Sequence, residues 1–373
     1  MAQRLAEDLL RLSRQRNDST GLAMGNNSLG RNLQLVGRFA LSRSHLVEAL
    51  ASYSAIPHRA PVHQGGFHLQ VSSQSLLGIA LFCLGYPDQA LARSNAAIAE
   101  ARSLAHAPSL TTSLAIGARL LSLVGASAAL AERAAQLSAV ATEQGFPDEG
   151  ALGTIYRGWV KVKNGDAAEG ISLLRSGLAA YRATGVQMYM PHLIALLAWA
   201  YEIVGQVEEA ATQLDDALQI VERTSERWFA AELNRHKGQL LLRQGDTEAA
   251  EELCRKAVSI AREQEAKLWE LRVTMTLAQL RRDQGRRTEA SDLLAPVYGW
   301  FTEGFDTPDL KGRRRCSTNS TKDAEQWRLS RHAGPARACP TTPRPGRPLG
   351  RPCGIRRASI APRRRVIKSV PTA

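Results

Sequence analysis

No apolar run in the sequence approaches the roughly 18 residues that a membrane-spanning helix requires, and none stands near Met1 as a secretory leader would. The expectation is a cytoplasmic chain with no membrane partner. A lysine-bearing phosphate loop is also missing. Its nearest text, GDAAEGIS from Gly165 to Ser172, has no Lys to reach a phosphate and reads as a repeat turn and the helix after it. Cysteine is scarce, with five in 373 residues. Cys316, Cys339 and Cys353 have neither ligand spacing nor nearby His partners, which points to free thiols in a reduced compartment. Cys83 and Cys254 fall on helical text and read as small core residues. His58, His63 and His68 stand five apart in a Pro- and Gly-bearing stretch. Imidazoles suit zinc or copper, but the spacing is not that of a structural pair, and a solvated loop is expected. No catalytic residue, cofactor site or metal ligand is assigned, and the chain does not read as an enzyme.

What the sequence does contain is a period. Seven glycines fall at Gly37, Gly85, Gly125, Gly165, Gly205, Gly245 and Gly285, the last six separated by 40 residues each time. Fixed-period similarity of this length marks a solenoid, in which each unit buries its apolar face by stacking on its neighbours. The unit around Gly205, LLAWAYEIVGQVEEAATQLDDAL, has apolar residues at helical spacing on both sides of the glycine, which describes two amphipathic helices and a tight turn. Seven residues before each turn glycine stand Gly30, Gly78, Ala118, Gly158, Ala198, Gly238 and Ala278, all small. Five residues after it come Ser42, Ala90, Leu130, Gly170, Ala210, Ala250 and Ala290, and a further four on Leu46, Ser94, Ala134, Leu174, Leu214, Cys254 and Leu294. Close helix contact needs small residues at the crossing and a larger apolar knob beside it. AQRLAEDLLRLSRQRND has the pattern of a second helix without its first, so an array continuing upstream in a longer relative is expected.

Charge divides the chain near Lys311. Residues 312–373 hold fourteen Arg and two Lys against Asp323 and Glu325, a net +14 against +13 for the whole chain, so the body carries −1 and is close to neutral. The same stretch has eight of the sixteen prolines and little apolar periodicity, and is expected to be disordered. It reads as a frameshifted or unselected sequence, as an arm that binds acidic partners, or as a linker or targeting segment. Nucleic acid is expected to bind only non-specifically through it.

The small, small, large spacing resembles the tetratricopeptide repeat, with Ala49, Ala97, Ala217 and Ala257 at its last small position. That repeat is about 34 residues long, so the units here carry extra length, placed in longer helices or in the joints RATGVQMYMP, ERTSERWF and REQEAKLWE. The first interval, 48 residues, has its excess near AIPHRAPVHQGG. The expected fold is all-α: a right-handed α-solenoid of about seven tetratricopeptide-like helix pairs over residues 1–311, without strands, then the basic tail at 312–373.

A more specific likeness lies in LLAPVYGWFTEGFDTPDLK at 293–311, with LGYPDQALARS at 84–94, ATEQGFP at 141–147 and RRDQG at 281–285. Together these resemble the C-terminal helical-repeat region of large bacterial adenylate/guanylate cyclase-like proteins, in which a cyclase domain and a P-loop ATPase module precede the repeats. The resemblance implies a non-catalytic interaction or regulatory module, with cyclase or ATPase domains of a parent or partner protein as possible neighbours. Family members follow DTPDL with a short helix, and Asp306 or Thr307 could cap one starting at Pro308. The alternative function is a nucleic-acid-associated or transcription-regulating repeat protein that uses the basic tail.

In a superhelix of this type the first helix of each pair lines the concave groove. The residue six before each turn glycine points inward there: Ile79, Arg119, Trp159, Trp199, Gln239 and Gln279, with Arg243 and Arg282 one turn on and Arg235 and Arg272 near them. Aromatic and Arg side chains are the types that anchor interfaces, so the expected ligand is a protein or an extended or acidic peptide. The other reading of Trp159 and Trp199 is that they pack between helices. The paired Lys/Asn arrangement of chaperone-binding tetratricopeptide domains is not seen.

Overall fold

The structure, a computed structural model, describes residues 2–56, 63–64 and 66–311. A lone helix α1 (Ala2–Arg16) precedes seven pairs: α2 (Ser19–Leu35) with α3 (Phe39–Ser54), α4 (Leu69–Leu84) with α5 (Pro87–Ser103), α6 (Ala107–Val124) with α7 (Ser127–Gln144), α8 (Pro147–Lys163) with α9 (Ala167–Ala183), α10 (Met190–Ile203) with α11 (Val207–Thr224), α12 (Ala230–Gln244) with α13 (Thr247–Glu263), and α14 (Lys267–Asp283) with α15 (Arg287–Gly299). The strand-free expectation fails at one place. His63–Gln64 and Phe67–His68 form a two-residue antiparallel ladder in the long first interval, with His63 opposite His68. The tail from 312 on, with its three cysteines, lies outside the described residues, as does His58.

Each of the seven register glycines closes a first helix with φ between +80 and +96°, the left-handed conformation that glycine adopts at no steric cost. The small residues before and after them meet for a reason that the geometry makes explicit. A Cβ on Gly78 would lie 3.1 Å from the Ala90 carbonyl, one on Gly158 2.8 Å from that of Gly170, and one on Gly238 3.1 Å from that of Ala250. The two helices of a pair therefore touch backbone to backbone at positions seven before and five after the turn. Both routes to the 40-residue period are used. α6, α7, α8 and α9 run 17 or 18 residues, whereas α10 and α12 are 14 and 15 residues and follow the longer joints 184–189 and 225–229.

Among the described residues α6 is the one helix long and apolar enough to cross a membrane, at 18 residues, and 72% of it is buried inside the array. That corrects the expectation that no such run exists: scattered Ser, Thr and Gly and the buried Arg119 hide it in the sequence.

The array comes back on itself. The first three pair turns lie against the joints that lead into the last two pairs and past α15. Trp228 donates its backbone N–H to the Leu35 carbonyl at 3.0 Å, and Gln264 covers Gly37. Trp300, Phe301 and Lys267 cover Gly85, and Pro308 stands 3.6 Å from the Cβ position of Gly125. Among the described residues nothing lies within 4 Å of that position at Gly165, Gly205, Gly245 or Gly285. One edge of the early repeats thus seats on the opposite edge of the late ones, and the first helices meet across the axis, with the Phe82 and Trp269 rings 5.8 Å apart. α4 is consequently buried at 15 of its 16 positions, so Ile79, 1% exposed, faces packed side chains.

Candidate functional site: the inner face of the first helices

Closure decides what each inward side chain touches. Arg119 on α6 is 2% exposed, and its guanidinium lies over the Tyr189 ring, 3.3 Å from the centroid. Among the described residues its Nε and Nη1 and His192 Nδ1 have no hydrogen-bond partner, and the Tyr156 hydroxyl lies beside the guanidinium. Burial, with Arg119 adding to it, holds His192 well below the ordinary imidazole range, so the ring is neutral. Tyr189 starts α10 with φ +66°. Its N–H donates to Glu226 Oε2 at 3.0 Å, and Trp228 Nε1 donates to Glu226 Oε1 at 2.9 Å. Burial pushes the Glu226 carboxyl up to about 7, and those two donors and Arg119 only partly oppose it.

A second group is built around Glu232, whose side chain is fully buried. Arg235 reaches it from one turn on at 2.7 and 3.0 Å, and Arg272 of α14 from the next repeat at 3.0 Å. Burial alone would raise the Glu232 carboxyl, but the two guanidinium groups hold it below its usual range. Arg272 also grips Asp309 with both arms, at 2.9 and 2.8 Å, donates to the Leu123 carbonyl, and lies over Trp269 and Phe82. A buried ion pair resists loss of either partner, so this cluster ties α12, α14, α6 and the 300–311 segment together.

The aromatic side chains form a chain across the same face. Trp159 and Trp199 stand 5.7 Å apart, Trp199 and Phe229 6.2 Å, Phe229 and Trp269 5.6 Å. Of the inward residues that the repeat register marks, Arg119, Arg235 and Arg272 are thus engaged within the chain, and Trp159, 9% exposed, stacks on Trp199. Trp199 is half-buried, and its Nε1 is buried without a hydrogen-bond partner among the described residues. Gln239 accepts from Arg235 at 2.8 Å, and Gln279 donates to Asp283 at 2.7 Å. Arg243 pairs with Glu202 at 3.0 Å while its own side chain remains 60% exposed, and Arg282 is half-buried. Trp199, Gln239, Arg243, Gln279 and Arg282 therefore form the part of the strip that solvent reaches.

Glu232, Glu226 and Asp309 escaped sequence reasoning. Glu232 precedes Arg235 by three residues and could have been found as a helical pair; Asp309, 37 residues from Arg272, could not. Thr307 stands at the N-cap of the short helix that begins at Pro308, its carbonyl accepting from the Lys311 N–H at 3.0 Å, while its hydroxyl donates to the Gly304 carbonyl at 2.6 Å. His68 is buried, its Nε2 2.9 Å from the Tyr53 hydroxyl. Among the described residues no group of three His, Cys, Asp or Glu side chains could hold a metal ion. Cys83 and Cys254 are buried free thiols, and the Gly165–Ser172 text forms a pair turn and the start of α9.

With this geometry in hand, residues 229–295 match the tetratricopeptide repeat family. Among curated proteins no sequence matches the chain. Among solved structures it is similar to a Rap conjugation gene regulator of the plasmid pLS20 in complex with the Phr* peptide, at TM-score 0.55 and 10% identity over 76% of this chain and 75% of that one. It is also similar to a Rap protein complexed with competence and sporulation factor, at TM-score 0.54 and 14% identity over 83% and 87%. A Signal Transduction ATPase with Numerous Domains from Pyrococcus horikoshii, with a tetratricopeptide repeat sensor, aligns at TM-score 0.42 and 15% identity over 79% of this chain and 46% of that one. At such identities the likeness is one of fold: a tetratricopeptide-like helical-repeat array.

Proposed function

We propose that residues 1–311 are a non-catalytic interaction and regulatory module that takes a protein or peptide segment along its inner face, within a bacterial cyclase-like or ATPase-linked signalling system. The observation that carries this reading is the accessible strip on three successive first helices: Trp199 on α10, Gln239 and Arg243 on α12, and Gln279 and Arg282 on α14. A half-buried indole, two amides and two guanidinium groups spaced along stacked helices suit an extended backbone with acidic side chains. The Rap structures of similar fold, each named with a bound peptide or factor, support the same class of partner. Association with cyclase or ATPase domains rests on the sequence phrases at 84–94 and 293–311. In this reading the protein is cytoplasmic, and the basic tail adds only salt-sensitive polyanion binding.

Selection of a displayed random-peptide library against the full chain tests it. Enriched peptides whose affinity falls at least about tenfold with Trp199→Ala or Gln239→Ala, the typical loss at an interface anchor, would support the reading. A library that yields no such peptide, or only peptides indifferent to both substitutions, would overturn it.

A further inference from the structure

The two most distinctive phrases of the sequence, 84–94 and 299–311, are far apart in the chain and touch each other in the fold. Glu303 accepts the backbone N–H of Asp88 at 3.0 Å and of Gln89 at 3.1 Å, in the first turn of α5. Gln89 Nε2 donates to the second Glu303 oxygen at 2.8 Å, and Gly304 N donates to Asp88 at 2.9 Å. Six residues on, Asp309 lies on the two arms of Arg272. Between and beside these acids Phe301 and Leu310 are 4% and 1% exposed. Trp300 meets Tyr86 edge-on at 5.4 Å, and Pro308 rests beside Gly125.

Residues 300–307 form no regular helix or strand. They lie as a peptide lies in a receptor: one carboxylate on a helix N-terminus, where free amides and the helix dipole favour an anion, one on a guanidinium in the bidentate arrangement, and apolar anchors between. The receiving contacts named above come from α5, α14 and the turns that follow α4 and α6. We propose that this surface is a peptide-binding site, filled in cis by residues 300–310, and that its ligand in trans is an extended acidic segment of a partner protein with the same order: aromatic pair, acid, then Pro-Asp-Leu. This site is separate from the Trp199 strip and goes beyond the proposed function. Tethering gives the resident segment an effective concentration on the order of millimolar, so an external ligand must match the pattern closely to displace it. The segment is thereby a built-in competitor that sets a threshold for the partner.

The probe is the synthetic peptide GWFTEGFDTPDLK added to the full wild-type chain, with amide hydrogen exchange as readout. At several millimolar, in line with the effective concentration of a short tether, the free peptide is expected to speed exchange in residues 300–310 of the chain. The Asp88 and Gln89 amides stay protected because a carboxylate still caps them. A peptide with alanine in place of the acids equivalent to Glu303 and Asp309 has no effect. In the full chain carrying Glu303→Ala and Asp309→Ala, half-displacement should need at least about tenfold less peptide. Protection of 300–310 that does not change at any peptide concentration, or an alanine peptide as effective as the acidic one, would overturn the proposal. The wild-type experiment decides the matter even if the double variant folds poorly. Trp199→Ala should leave the result unchanged, which separates this test from that of the proposed function.

Discussion

Glu226 is a buried acid whose folded-state pKa, about 7, lies above the roughly 4.3 of an unfolded Glu. The native state holds the proton more tightly than the unfolded chain does. The favourable contribution is therefore complete below about pH 4, declines as pH rises towards 7, and is gone above it. Glu226→Gln removes that titration. Urea unfolding at pH 5 and pH 8 should show wild type losing on the order of 1–3 kcal/mol relative to the variant between the two, and a constant difference would contradict the assignment. Glu232 works in the opposite sense. Its carboxyl is held low by Arg235 and Arg272, so its contribution is present above the unfolded value and lost in acid. A second residue-scale feature was illegible in the sequence. Ala105, Gly145, Gly185, Ser225 and Glu265 all have positive φ at the joints between pairs, a left-handed register midway between the turn glycines. Only two of the five are glycine, so composition does not betray it. Ala105 is exposed with φ +49°, and Ala105→Gly should leave stability unchanged or raise it by up to about 1 kcal/mol, relief of left-handed strain outweighing added unfolded-state freedom. A loss above about 1 kcal/mol in thermal unfolding would refute a strained joint.

At the scale of helices the periodicity was legible because it is written in local chemistry. A turn needs a left-handed residue, a crossing needs small side chains, and both recur at fixed offsets from one glycine. What faces a helix from elsewhere in the chain leaves no such mark. Arg235 and Arg272 stand near the inward series that periodicity marks, but the Asp309 and Leu123 oxygens that meet Arg272 come from distant segments. The seven turns that look alike in sequence therefore differ in cost of substitution. Gly85 and Gly165 have nearly the same φ, +96 and +95°, so alanine strains either backbone by about 1–2 kcal/mol. At Gly165 the new methyl meets none of the described residues within 4 Å, whereas at Gly85 it would approach Trp300 to 2.6 Å. Gly85→Ala should cost at least about 1 kcal/mol more than Gly165→Ala, and equal costs in chemical denaturation would mean that the Trp300 segment does not cover the turn.

At the scale of the molecule, repeat number and period were readable and closure was not. Solenoid sequence specifies contacts between neighbours, while the return of one edge onto the other depends on the summed small rotations of seven pairs. The consequence is stability that does not reside only in neighbour interfaces. The first two pairs and the last two are held by one another as well as by their neighbours, through Trp228 on Leu35, Gln264 on Gly37 and Trp269 on Phe82. This closure also leaves the inner face with a short accessible strip instead of an open groove, and it brings the 300–310 segment onto α5. The Trp228 backbone amide reports on it most directly, because its acceptor, the Leu35 carbonyl, is 193 residues away in sequence. In a closed array that amide should exchange with solvent as slowly as amides inside α10 and α12. Exchange at the fast rate of an exposed joint amide such as that of Gln187, with α10 and α12 still protected, would contradict closure.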